Sequence, residues 1–182
     1  MKTIVMKMWL VVAAALTVTL TSCSDNDDNN TSGNNTSGSG KMTYFAEIEV
    51  SDDVLSLATV NLQEYGNSGL GAATQLTNTK YDWSKTITSY PAKVGLALSI
   101  EPKNQKLTKE KYDFSVVYKV TMKDADGNIK GAGVDYSKKL TGVKAADVSR
   151  ILENIKRQLT NVKALIDFTS ASNFTQRSKS EL

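Results

Sequence analysis

The stretch FSVVYKVTMKDADGN, residues 114–128, decides the fold. Phe114, Val116, Tyr118, Val120 and Met122 alternate along it, and a period of two puts all five on one face of a strand. The run stops at Asp124-Ala125-Asp126-Gly127-Asn128, where Asp-Gly signals a hairpin because glycine takes a positive φ without steric cost. The return strand is expected at about 128–136. Upstream the same pattern recurs. Val94, Leu96, Leu98 and Ile100 alternate over 93–101, between Pro91 and Pro102. Met42, Tyr44, Ala46, Ile48 and Val50 alternate from Lys41 onward, with Glu47 and Glu49 on the opposite face. Another strand is expected over 54–65, and weaker ones over 72–79 and 81–90, which are rich in Thr, Tyr and Trp. About seven short strands with turns between them predict a mostly β domain: an antiparallel β-sandwich, Ig-like or related, with a barrel as the alternative.

After Lys144 the period changes. Val148, Ile151, Leu152, Ile155, Leu159 and Val162 recur at steps of three and four, while Arg150, Glu153, Lys156 and Arg157 turn elsewhere. This predicts one amphipathic helix over about 144–160, its apolar stripe covering an open end or face of the sheet. Asn161 is a helix stop, and the alternation of Val162, Ala164, Ile166 and Phe168 favours a last strand over a longer helix. The globular domain is placed at 41–174, and the tail TQRSKSEL, 175–182, is expected to fray.

Composition fits one domain: 182 residues, 40% hydrophobic and 23% charged. The formal charge of +3 includes Lys2 and Lys7; setting these aside leaves 20 basic against 19 acidic side chains, a net +1. Basic residues are scattered, with no run longer than pairs such as Lys138-Lys139, so the footprint of a nucleic-acid partner is absent. The chain has no histidine, which removes His general bases, Ser-His-Asp triads and His-ligated zinc. Neither common Gly-rich phosphate loop is present. Asp124-x-Asp126-Gly127-Asn128 would need ligands at Met122 and Gly133 to complete a calcium loop, so the hairpin reading prevails. No catalytic, cofactor-binding or metal-ligating residue is therefore assigned, and no cofactor is expected.

The aromatics offer a binding candidate. Tyr81, Trp83 and Tyr90 lie close in sequence, and Tyr81 and Trp83 would share a strand face. Such rings can stack on the apolar C–H faces of sugars, or Trp83 can instead plug the sandwich core.

At the N-terminus, Lys2 and Lys7 precede the apolar run MWLVVAAALTVTL, 8–20, whose 13 residues fall short of the roughly 20 needed to span a bilayer. It ends in Leu20-Thr21-Ser22-Cys23, which resembles the lipobox of bacterial lipoproteins. The resemblance implies that residues 1–22 are a cleaved signal peptide and that the Cys23 sulfur carries a diacylglyceryl group. Two or more acyl chains make a stable membrane anchor, at about 0.8 kcal/mol per buried methylene. The mature chain would then hold no free thiol. Ser24, Asp25, Asp27 and Asp28 follow at once, similar to the surface-export signal of Bacteroidota lipoproteins. That likeness implies an outer-membrane protein facing the medium, with a periplasm-facing location as the alternative. Residues 23–40 read as the lipidated Cys and a flexible tether built of Ser, Asp, Asn, Thr and Gly, with a reach of about 20–25 Å. The segments YDWSKTITSYPAKVGLALSIE, 81–101, and YDFSVVYKVTMKDADGNIKG, 112–131, also resemble small lipoproteins of gut Bacteroidota, which implies a β-rich sandwich and assigns no activity.

The function expected from these readings is non-catalytic: a lipid-anchored envelope protein binding a glycan or a protein, helped by the local concentration its tether creates. The alternative is a structural or assembly lipoprotein packing against an outer-membrane complex through an edge strand or the helix face. A carboxylate-dependent glycoside hydrolase stands third.

Overall fold

The computed structural model describes residues 40–131 and 133–182. The expected signal peptide, Cys23, the acidic group Ser24, Asp25, Asp27 and Asp28, and the expected tether as far as residue 39 lie outside the described residues. In chain order the elements are β1 (Met42–Val50), a one-turn-and-a-half helix α1 (Asp52–Leu57), β2 (Ala58–Gly66), the two-residue strands β3 (Gly69–Leu70) and β4 (Thr74–Gln75), and β5 (Lys80–Ile87). Then follow β6 (Ala92–Pro102), β7 (Lys111–Lys123), β8 (Val134–Lys144), α2 (Val148–Thr160), β9 (Leu165–Ser170) and β10 (Asn173–Arg177).

Two antiparallel sheets result. One has the order β5-β1-β7-β8; the other runs β10-β9-β6-β2-β3, with β4 also paired to β2. Neither closes on itself, so the barrel alternative is set aside in favour of the sandwich-like arrangement. The alternating residues read from the sequence form the inner faces: Tyr44, Ile48, Phe114, Val116, Val120 and Met122 from the first sheet, and Val60, Leu96, Leu98 and Ile100 from the second, all buried in a single core. The predicted helix adds Val148, Leu152, Ile155 and Leu159 to that core, its apolar stripe laid mainly against β6.

Two tyrosines tie the sheets together. From β1, the Tyr44 hydroxyl donates to the Ala164 carbonyl at 2.8 Å; from β7, the Tyr118 hydroxyl donates to the Leu96 carbonyl of β6. Buried carbonyls without donors are costly, so each phenol both fills volume and satisfies backbone. Burial pushes the Tyr44 hydroxyl up to about 12 and Tyr118 well above its ordinary value, because phenolate would be stranded away from water.

Four expectations are corrected. The strand expected at 54–65 begins at Ala58, since 52–57 is α1: Asp52 and Asp53 stand in its first turn, where the helix dipole favours acids, and Val54 and Leu57 are buried one turn apart. The weak strand at 72–79 shrinks to Thr74–Gln75. The return strand lies at Val134–Lys144, not 128–136. Here the Asp124 carboxylate accepts the N–H groups of Asp126 and Asn128 at 3.0 and 2.8 Å, and meets the Lys130 ammonium at 3.1 Å. With Gly127 at φ +82° this makes a tight turn, but only Lys123 and Ile129 bridge before the chain passes Gly133 to reach β8. The same bonds occupy the carboxylate that a calcium loop would have used. Finally, the tail does not fray from residue 175: β10 pairs with β9 through Arg177, and Ser178 is 3% exposed. The Arg177 Nε donates to Asp167 Oδ2 at 2.6 Å and the Phe174 ring meets Phe168 at 5.4 Å, which gives these polar residues the partners that a sequence cannot display.

Candidate functional site

β5 is an edge strand, and so, on the other sheet, are the short strands β3 and β4 that fringe β2. Between them lies a cleft of about 460 Å³. Its apolar lining comes from Leu62, Leu76 and Leu96, its polar lining from Thr74, Gln75, Thr77 and Asn78, and its aromatic wall from Tyr81.

The β1–β5 register explains why Tyr81 is there. Tyr81 stands opposite Ile48 and Trp83 opposite Ala46, both inward-facing residues of β1, so the two aromatics share the inner face of the edge strand, as the sequence spacing predicts. Both are half-buried and pack on the core. The Trp83 indole is neither a core plug nor a bare platform. It meets the Tyr44 ring edge-to-face, with centroids 5.6 Å apart and planes at 77°, and its Nε1 donates to Glu64 Oε1 at 3.1 Å. Trp83 itself lines a second, smaller groove of about 290 Å³ with Phe45, Glu47, Asp82, Lys119 and Lys123; it reaches the larger cleft through Glu64.

Tyr90 is not part of this group. Its hydroxyl donates to the Gly40 carbonyl at 2.8 Å and its ring lies 5.8 Å from Phe168, so it belongs to an aromatic cluster over β9 and β10. Burial raises its hydroxyl pKa, in keeping with a structural role.

Glu64 is the residue that the pattern reading missed. On β2, Ala58, Val60 and Leu62 face inward and are buried, and Glu64 continues that series opposite Leu96. A carboxylate at the fourth position of an inward series is a detectable break, and it marks the place where the two sheets part. Inward parity also applies to Lys85 of β5, which stands opposite buried Tyr44 yet is itself exposed.

Among the described residues, no group of three or more Asp, Glu or Cys side chains is arranged to hold a metal ion. No protein-family model, no curated protein and no solved structure matches this chain, so the cleft is the ground on which its function is argued.

Proposed function

We propose that this chain is a non-catalytic glycan-binding protein, held at the outward face of the cell envelope by acyl chains on Cys23. The observation that carries the binding reading is the cleft at the parted edges. Its volume falls within the roughly 300–1,000 Å³ of small-ligand sites, and it combines a half-buried ring with hydroxyl and amide side chains above an apolar floor. A sugar presents the matching chemistry: apolar C–H faces for Tyr81 and hydroxyls for Thr74, Gln75 and Asn78.

Two comparisons favour this reading. Glycoside hydrolysis uses two carboxyl groups about 5 to 9.5 Å apart, and Glu64 is the one carboxylate lining the cleft. A protein-docking face is expected to show a contiguous apolar patch of several hundred Å². The large exposed apolar side chains among the described residues, Phe45, Ile129 and Leu182, stand on three separate segments.

Screening the full chain, purified in detergent, on a glycan array and titrating the hits by calorimetry tests the proposal. Tyr81→Ala is expected to weaken binding about tenfold, the equivalent of one lost stacking contact, and Trp83→Ala to weaken it less, by loosening Glu64. Unchanged affinity in folded Tyr81→Ala would remove the cleft as the site. The anchor is checked separately: Cys23→Ser is expected to shift the protein from the membrane fraction to the soluble fraction and to remove the acyl mass.

A further inference from the structure

We infer that the cleft selects saccharides bearing a free amine, with Glu64 as the residue that sets this specificity. The inference rests on the glycan reading above and narrows it. Glu64 is the one charged side chain lining the cleft, and it is exposed to whatever enters. One of its oxygens, Oε1, accepts the Trp83 indole N–H at 3.1 Å, which fixes the direction of the carboxylate. Among the described residues, no protein donor meets the second oxygen, and none of the ion pairs involves Glu64. Glu49 and Glu101, also exposed, each have a Lys within 2.9 Å, whereas Glu47 and Asp82 are exposed without an ion pair among the described residues, so what sets Glu64 apart is its place in the cleft.

An uncompensated carboxylate beside an aromatic ring suits one kind of guest. An ammonium group donates a charge-assisted hydrogen bond to the free carboxylate oxygen and gains a favourable electrostatic interaction with the face of a ring such as Tyr81. A uronic or sialic acid meets repulsion at the same point, and a neutral N-acetyl sugar gains neither term. The pyranose body of an amino sugar still uses the hydroxyl and amide lining that any sugar would.

The experiment compares oligomers of glucosamine with the same oligomers N-acetylated, titrated into the full chain in detergent, with an oligolysine peptide as a third probe. The wild-type protein is expected to bind the free-amine oligomer about fivefold more tightly than the acetylated one, the scale of an exposed ion pair, and to lose that margin in high salt. Glu64→Gln keeps a carbonyl oxygen for the Trp83 indole and removes only the charge. It is expected to equalise the two oligomers, with the larger loss on the free-amine one, and to leave the Trp83 fluorescence unchanged. Equal wild-type affinities, or a preference that survives Glu64→Gln, would overturn the amine selectivity and leave the glycan reading standing. Failure of both oligomers to bind would overturn the amine selectivity while the array decides the wider glycan reading, and tighter binding of oligolysine would overturn it by making the guest a protein side chain.

Discussion

Replacing Gly95 by alanine is expected to destabilise the fold by about 3 kcal/mol, the upper end of the range for overpacking. A Cβ placed there would stand 2.7 Å from the Ala164 carbonyl oxygen and 2.9 Å from Leu165 Cα, distances that side-chain rotation cannot relieve because both atoms are backbone. The crowding arises where β6 hands its pairing from β2 to β9: Gly95 is in register with Tyr65 on one side and Leu165 on the other. On the same face, Tyr65 reaches across to β9, where its hydroxyl donates to Asp167 Oδ1 at 2.6 Å, and Arg177 holds the other carboxylate oxygen. Burial works against the Asp167 charge, but these two donors outweigh it and hold its pKa below the usual carboxylate value. A shift of this bridge would therefore disturb three strands at once. Urea titration measures the loss as a lower midpoint at constant slope. Gly66→Ala is the matched control, since a Cβ there meets nothing within 4 Å; its effect is expected within about 0.5 kcal/mol. Equal midpoints for wild type and Gly95→Ala would refute the crowding argument.

Alkali is expected to unfold the protein cooperatively between about pH 10 and 12. Tyr44 and Tyr65 are both pushed up to about 12, by burial first, and Tyr118 is raised in the same direction. A folded pKa above the unfolded one means that stability is fully present below about pH 10, where both states are neutral. It is lost as pH rises towards the folded value, because the unfolded chain releases its proton first. For Tyr44 alone the shift of about two units corresponds to about 3 kcal/mol. Far-ultraviolet circular dichroism and tyrosinate absorbance followed on one sample should change together. Ionisation of the core tyrosines in a chain that keeps its dichroism would contradict the burial argument. Tyr44→Phe sharpens the test. It leaves the Ala164 carbonyl without its donor, costing about 1–3 kcal/mol at neutral pH, yet it removes one titrating group and so flattens the alkaline dependence.

Much of this architecture was legible in the residues. β1 and most of β7 alternate because one face lies on the core and one towards water, β6 keeps its alternation of large residues although Gly95 and Ala97 on its other face are buried too, and the C-terminal helix announces itself because its buried positions repeat every three or four residues. β8 was misplaced for the opposite reason. Its apolar face is weak, with Val134, Tyr136 and Leu140 only half-buried, Val143 buried and Lys138 and Lys139 mid-strand, so pairing to β7 does more to define it than its pattern does. Ser51-Asp52-Asp53 did carry a helix-start signal for α1, masked by the apolar residues that follow. β10 depends on Asp167 and Phe168, residues of another strand, which no local pattern contains. At the candidate site, the shared face of Tyr81 and Trp83 was readable from their spacing. The separation of Tyr90 was not, because between Ile87 and Ala92 the chain passes from β5 of one sheet to β6 of the other.

The exposed ammonium of Lys85 bears on how many such molecules can live side by side. An unguarded sheet margin invites a neighbour's backbone to continue the ladder, and crowded copies would then zip into fibres. Docking another strand against β5 would strip water from a cation that has hydrocarbon below it and no counter-charge on its own strand face. The lysine thus penalises strand addition along this margin, and because it does not line the cleft it does so without obstructing the opening beside Tyr81.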